Sequence, residues 1–342
     1  MGKKTYRICT LPGDGIGPEI MAEAKRLLAA IGEALIDFIP DKSGCAFQDV
    51  TAFSPRVGGA PTNVCAAFSR LGGKSRLLTQ LGDDPFGHKI KQELESTGVD
   101  TSAISFTDKA NTALAFVSLA KNGDRTFSFY RKPSADMLYE ADRINEELFD
   151  EVFALHFCSV DIGNFPMKLA HKRAIEIMNR RGGIVSFDPN LRFNLWDSAE
   201  ELQKAVREFI PMSDIVKLSE DELEFVTGTD DISLGTKMLF EQGVKLVLYT
   251  CGGKGAYAFT QEARAYSPAC DVKAVDTTGA GDGFTGAFLW KMKNICSERS
   301  GLSAISEENL MECLSFANRF CAVSVQKKGA IASYPTAEEM LK

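Results

Sequence analysis

One stretch restricts the folds open to this chain more than any other: Val275-Asp276-Thr277-Thr278-Gly279-Ala280-Gly281-Asp282-Gly283-Phe284-Thr285-Gly286-Ala287-Phe288. Val272, Ala274 and Val275 read as the end of a short extended run. Phe284, Ala287, Phe288 and Met292 fall at i, i+3, i+4 and i+8, the apolar stripe of a helix. Between the two lies a Gly-rich turn whose last residue before the helix is a carboxylate. Glycines let backbone N–H groups converge, and a helix N-terminus adds partial positive charge, so such a turn attracts an anion. An aspartate placed there can take a proton from a hydroxyl while the nearby N–H groups hold a phosphate. The stretch therefore predicts phosphoryl chemistry on an α/β framework.

Two other patterns compete for a nucleotide and fail on context. Gly281, Gly283 and Gly286 match G-x-G-x-x-G, but that fingerprint wants an acidic residue ending a second strand about 20 residues on. The region from Ser303 to Glu308 reads instead as a loop entering a helix. Gly73-Lys74-Ser75 resembles the end of a P-loop, yet Phe68 occupies the required first glycine. It also follows a helical pattern and precedes a strand, the reverse of the P-loop order.

A chain of 342 residues can bury a large core, and one α/β domain with an appendage is the natural reading. The formal charge of −7 and the absence of any large basic cluster argue against a nucleic-acid partner. No apolar run approaches the ~20 residues of a membrane span. Met1-Gly2-Lys3-Lys4 lacks an apolar signal region, which predicts a cytoplasmic protein. Nine cysteines without a C-x-x-C pair predict reduced thiols, and three separated histidines offer no zinc site.

Along the chain, Leu77–Leu81 reads as a strand, and Asp83-Asp84-Pro85-Phe86-Gly87 opens a helix. Thr112–Ala120 alternates, turns at Asn122-Gly123 and returns as Arg125–Arg131, a hairpin. With Ala34–Pro40 and Phe47–Val57 it predicts a small second sheet. From Phe153 onward strands and helices alternate, as in a parallel sheet with right-handed crossovers. Strands are expected to end at Cys158-Ser159, Asp188–Arg192, Leu218-Ser219 and Thr250-Cys251-Gly252. Those polar clusters gather at the carboxyl edge, where open α/β sheets bind ligands.

The first residues follow another pattern. Leu11-Pro12-Gly13-Asp14-Gly15-Ile16-Gly17-Pro18-Glu19, with an amphipathic Ile20–Leu28, resembles the opening of the isopropylmalate and isocitrate type of dehydrogenase. Nothing later resembles such an enzyme. Residues 1–28 are therefore expected to form a leader outside the core, with the main domain over 29–342. Helix and strand patterns compete near Leu28, and burial predicts that the strand wins.

Asp276-Thr277-Thr278-Gly279-Ala280-Gly281-Asp282 resembles the C-terminal signature of the ribokinase-like (PfkB) sugar kinases, and the likeness runs from about Ala29 to the C-terminus. It implies a mostly parallel central sheet flanked by helices, with a small β-sheet lid near 34–57 and 112–132. It makes Asp282 the catalytic base and the N–H groups of Gly279, Ala280 and Gly281 the anion hole. Asp37, at the first strand, would bind sugar hydroxyls, since a carboxylate accepts two hydroxyl protons at once. Gly58-Gly59-Ala60-Pro61-Thr62-Asn63 resembles the N-terminal signature, in which Gly58 and Gly59 let backbone approach the ligand and Asn63 bonds the sugar. Phe127–Leu138 is similar to fructokinases in particular, with Arg131 reaching the sugar or its transferred phosphate. Asp188–Trp196 resembles fructokinases and ketodeoxygluconate kinases, and implies Asn190 and Arg192 near phosphates.

The same resemblance assigns the nucleotide and ion contacts. Lys217–Glu222 corresponds to an N-x-x-E motif in which Glu222 arranges the magnesium shell, while Ser219 stands where the family has asparagine. Thr250, Gly252 and Gly255 match a loop that cradles the nucleotide, and Asn318 a position beside adenine. Asp276 and Thr278, with Ser324, Lys327, Gly329 and Ser333, imply a potassium site, for which a hard oxygen cage is suited. The implied activity is an ATP- and Mg2+-dependent sugar kinase, most similar to fructokinase and paired as a homodimer through its lid. Ketodeoxygluconate and ribose are the alternative substrates within the family. A non-catalytic sugar-binding regulator is the alternative of another class, and Asp282 with its Gly-rich turn argues against it.

Overall fold

The computed structural model describes residues 27–42, 44–119 and 125–341. Most of the expected leader, and the turn at Asn122-Gly123, lie outside the described residues. The chain enters on β1 (Leu27–Ile31), whose five apolar residues are all buried. Leu28 and Ala30 point into one core cluster, while Leu27, Ala29 and Ile31 point into the other. Fully burying Leu28 or Ile31 is worth roughly 1.5–3 kcal/mol each. A helix over the same residues would leave part of that surface wet, so the strand wins from Leu27 onward.

Two further strands, β2 (Leu35–Pro40) and β3 (Phe53–Gly58), form a hairpin away from the main sheet. Its strand is shorter than the expected Phe47–Val57, because Phe47–Asp49 is a single 3-10 turn. Asp41 causes this by accepting from Thr51 Oγ1 and the Ala52 amide at 3.1 and 3.4 Å, which closes the connection before Phe53. Helix α1 (Ala60–Arg70), β4 (Lys74–Gly82) and α2 (Pro85–Ser96) follow. Asp84 caps α2 by accepting from the amides of Phe86 and Gly87. The short β5 (Val99–Asp100) and β6 (Ile104–Thr107) then run beside β4. Strands β7 (Ala113–Leu119) and β8 (Arg125–Tyr130) pair antiparallel and complete a four-stranded lid of order β3-β2-β7-β8.

The second half alternates as expected. It runs β9 (Val152–Cys158), α3 (Pro166–Arg180), β10 (Ile184–Asp188), α4 (Ala199–Phe209) and β11 (Ile215–Ser219). Helices α5 (Glu220–Thr227) and α6 (Ile232–Glu241) lead to β12 (Leu246–Thr250). An antiparallel pair, β13 (Ala256–Phe259) and β14 (Arg264–Ser267), extends this edge. The expected extended run at Val272–Val275 joins no sheet. Val275 and Asp276 instead donate their amides to Val325 O, at 2.8 and 3.1 Å. The chain closes with α7 (Ala280–Met292), α8 (Glu307–Ser324) and the short α9 (Ala337–Met340).

The main sheet has the order β14-β13-β12-β11-β10-β9-β1-β4-β5, with β6 also on β4, and is parallel up to β12. Strand order reverses around β1, which lies between β9 and β4. That reversal opens a crevice at the carboxyl ends of the strands, with the lid beside it. On one face α1 crosses α7 at very short range. A Cβ on Gly286 would stand 2.8 Å from both the Val64 carbonyl and the Ala67 Cβ, so only glycine lets the helices meet this closely. The crossing brings both helix N-termini to the crevice. Among the described residues no helix is long and apolar enough to cross a membrane.

Candidate active site

Gly279 caps α7 with φ +70°, and a Cβ there would lie 2.6 Å from Ala330 Cβ and from the Tyr334 hydroxyl. Tyr334 donates its hydroxyl to Gly279 O at 2.7 Å and pins the turn. The amide of Ala280 turns back to Thr277 O at 3.2 Å. The amides of Gly281 and Asp282 belong to the first helical turn, where no intrahelical acceptor exists. Asp282 lies half-buried beside them, and Asn63 Nδ2, from the first turn of α1, donates to its Oδ2 at 2.8 Å. Burial raises the pKa of Asp282, and the net shift is upward. The Asn63 hydrogen bond, then Lys217 and Arg192, oppose that rise. The carboxylate is thus more basic than an ordinary aspartate, as a proton acceptor should be.

Strands β10 and β11 are adjacent, and their ends carry a buried ion pair. Lys217 Nζ donates to Asp188 Oδ2 at 2.8 Å. Burial alone would depress the lysine, but Asp188, then Glu222 and Asp282, outweigh it and keep it charged. Glu222 accepts from the Ser219 amide and hydroxyl, each at 2.8 Å, and from the Leu191 amide at 3.0 Å. Ser219 therefore caps α5, and Glu222 ties that cap to the loop after β10. In this loop Asn190 has φ +42° and donates its amide to Asp188 Oδ1 at 3.1 Å. Arg192 lies 6.0 Å above the Phe127 ring of the lid and donates to Leu191 O at 3.0 Å. Asn194 Nδ2 bonds Phe127 O at 2.8 Å, a second tie between loop and lid.

On the lid side, Asp37 of β2 lies against Gly58, where a Cβ would meet its Oδ2 at 2.3 Å. Gly59 caps α1. Arg131, expected to reach the sugar or its transferred phosphate, is buried, and its guanidinium binds Asp136, Asp161 and the Val160 carbonyl. Glu33 accepts from the Ala60 amide at 2.8 Å, while its carbonyl takes the Thr62 hydroxyl at 3.0 Å. Glu33 Oε2, Asn63 Oδ1, Ser159 Oγ, Asp161 Oδ2 and Arg131 Nε are buried with no hydrogen-bond partner among the described residues. Such groups suit a polyhydroxyl ligand.

Glu33 and Asp161 share one guanidinium. Glu33 takes the proton, because Arg131 bonds Asp161 directly while burial, and then Asp161, push Glu33 up. The folded state therefore holds a proton that the unfolded chain releases, and the stability this confers is lost as pH rises. Glu33→Gln, which cannot ionise, should gain stability relative to the parent between about pH 5 and about pH 8. Urea midpoints at the two pH values test this. An unchanged difference would show that Glu33 is already ionised.

At the carboxyl end of β12, Thr250 Oγ1 donates to Leu218 O at 3.4 Å. Gly252 opens a 3-10 turn, which the Cys251 amide closes on Gly255 O at 2.8 Å. Asn318 Nδ2 is held by the carbonyls of Ser267 and Pro268 at 2.9 and 3.2 Å. Behind the turn, Asp276 Oδ1 accepts from the Thr278 amide and hydroxyl at 2.8 and 2.5 Å, and its Oδ2 accepts from the Gly329 amide at 2.9 Å. The Ser324 and Ser333 hydroxyls meet at 2.6 Å, and the Lys327 amide donates to Ser324 O at 2.9 Å. The donors here are oxygens only, a set that fits a hard monovalent ion. Among the described residues, no group of three His, Cys, Asp or Glu side chains could hold a metal.

The fold thus joins Asn63 to Asp282 and leaves Lys217 and Arg192 near enough for their charge to act on the same carboxylate. Glu33, Asp161, Asp188 and Lys217 were not singled out from sequence. Lys217 had left a signal, as the one charge in the otherwise apolar strand Ile215-Val216-Lys217-Leu218.

Residues 25–337 match the model of the pfkB family of carbohydrate kinases. The chain is 42% identical over 323 residues to fructokinase-1 of Zea mays, covering 94% of this chain and 98% of that one. The crystal structure of a Xylella fastidiosa fructokinase with bound ATP superposes with a TM-score of 0.84 at 31% identity, covering 93% of this chain and 97% of the other. A Vibrio cholerae fructokinase bound to fructose, ADP and calcium gives 0.82 at 33% identity, over 93% and 98%. With a glycine turn, an Asn63–Asp282 contact at two helix N-termini and a second small sheet in one arrangement, this chain belongs to the pfkB family of carbohydrate kinases.

Proposed function

We propose that this protein is an ATP-dependent fructokinase that phosphorylates the 6-hydroxyl of fructose. The observation that carries this reading is the Asn63–Asp282 contact at the start of α7. It sets a basic carboxylate beside first-turn amides that can hold a phosphoryl group. Asp282 accepts the hydroxyl proton as the sugar oxygen attacks the γ-phosphate. Gly279, Ala280 and Gly281 cradle the transferring group, with Asn190 and Arg192 beside the phosphates. Asp37, Gly58, Gly59, Asn63 and Arg131 orient the sugar, and Thr250, Gly252, Gly255 and Asn318 line the nucleotide. Magnesium, arranged through Ser219 and Glu222, would supply charge neutralisation at the phosphates. Potassium at Asp276, Thr278, Ser324, Lys327, Gly329 and Ser333 would stiffen the turn.

The charge around Arg131 favours fructose over ketodeoxygluconate. Its guanidinium already faces Asp136 and Asp161, with Glu33 near, so little positive potential remains for a sugar carboxylate. The lid leaves Tyr130 and Phe47 exposed beside Phe116, an aromatic face that we assign to a homodimer contact in the cytoplasm. The test is an ATP-coupled assay over fructose, ribose, glucose and ketodeoxygluconate. Fructose should lead in kcat/KM by ~10-fold or more, the low end of what a single misfitting group costs in a pocket. Equal turnover of fructose and ribose would end the assignment.

A further inference from the structure

We propose that Lys217 is a catalytic residue of this site, a cation that binds the phosphoryl group during transfer, with Asp188 as the partner that positions it. The inference rests on the kinase reading above. Lys217 is 7% exposed and rises from a strand whose neighbours are buried. Its Nζ would stand 3.4 Å from a Cβ on Gly281, so it faces the first turn of α7 across the space that glycine leaves open. That placement sets an ammonium against the positive end of a helix, an unfavourable pairing unless an anion lies between them. Only Asp188 accepts a hydrogen bond from Lys217 among the described residues. An ammonium has three N–H donors, so two remain for a ligand.

The surrounding carboxylates do not take those two. Asp188 divides its oxygens between Lys217 and the Asn190 amide, and Glu222 divides its own between Leu191 and Ser219. Asp282 is engaged by Asn63. As the hydroxyl proton moves to Asp282, negative charge is carried by the transferring oxygens between Gly281 and Lys217. A preorganised cation at that point contributes more than it would in water, because it needs no reorganisation and little solvent competes. Arg192 differs, since it leans on Phe127 at the lid and donates to its own loop.

The test compares Lys217→Met, Lys217→Arg and the double variant Lys217→Met with Asp188→Asn. The double variant removes both charges and keeps a folded protein if the methionine alone leaves Asp188 uncompensated. Two readouts are taken: kcat and sugar KM, and the affinity for ADP with magnesium and aluminium fluoride relative to ADP with magnesium alone. Loss of a transition-state donor costs about 10²–10³-fold in kcat, so both methionine variants should show that loss with sugar KM within about threefold. Arginine should recover part of it, and the aluminium fluoride increment should fall by about 10-fold or more in the methionine variants. A structural role predicts the reverse, with the double variant regaining parental kcat and the full increment. Either result overturns the proposal. The fluoride readout needs no sugar, so it separates failure of this inference from failure of the kinase reading.

Discussion

Asp282→Asn should lower kcat by ~10²–10⁴-fold, the share of a positioned base, with sugar affinity nearly unchanged. Asparagine fills the same volume in the first turn of α7 and still accepts from Asn63 Nδ2 through its amide oxygen, so α1 and α7 stay docked. What disappears is the carboxylate that receives the proton. In the parent the base works ionised, and its pKa lies above the ordinary carboxylate range because of burial. The rate should therefore fall as pH drops through that raised value, an acid limb that the asparagine variant lacks. Stopped assays across pH, with sugar binding followed separately, give both quantities. A variant within about threefold of the parent would remove Asp282 from the role of base.

Arg131→Ala should be the most destabilising single change in the site. Arg131 is 6% exposed, and its partners Asp136 and Asp161 are 1% and 0% exposed. Removing the guanidinium leaves two carboxylates in a dry region with Glu33 beside them, and breaking a buried pair in this way costs about 3–5 kcal/mol. Protonation of the carboxylates moderates the cost at low pH, so the loss should be largest above neutrality. Arg131→Lys keeps the charge but loses the fork that serves two carboxylates, and should fall between. Urea unfolding at pH 8 reads both effects. A loss under about 1 kcal/mol for alanine would mean that the carboxylates are already neutral.

Much of the site was legible locally. The turn at Gly279–Asp282 is read from glycine spacing and the apolar stripe of α7, because both are short-range requirements of backbone and helix. The strand ends at Cys158, Asp188, Ser219 and Thr250 fall where apolar runs meet polar residues, as the structure has them. The lid hairpins followed from alternation, although Asp41 shortened one strand through contacts that no pattern of apolar residues records. The extended run before the glycine turn was misread for a related reason. Val275 is 57% exposed, and Val325 supplies its partner from the end of α8.

The class of sheet, the glycine turn at Gly279–Asp282 and the proposal of Asp282 as base could all be read from sequence, because each depends on neighbours within about a dozen positions. Tertiary structure decided the rest. Asn63 meets Asp282 across 219 residues, through a helix crossing that Gly286 permits. Lys217 finds Asp188 because β10 and β11 pair side by side in parallel, with α4 in the connection between them. Leu27–Ala30 is strand and not the end of a helix because β4 and β9 flank it and the core covers both faces. Arg131, expected from sequence only as a ligand contact, is a buried hub because Asp136 and Asp161 close around it. In each case burial and proximity set the chemistry, and both are properties of the packed chain.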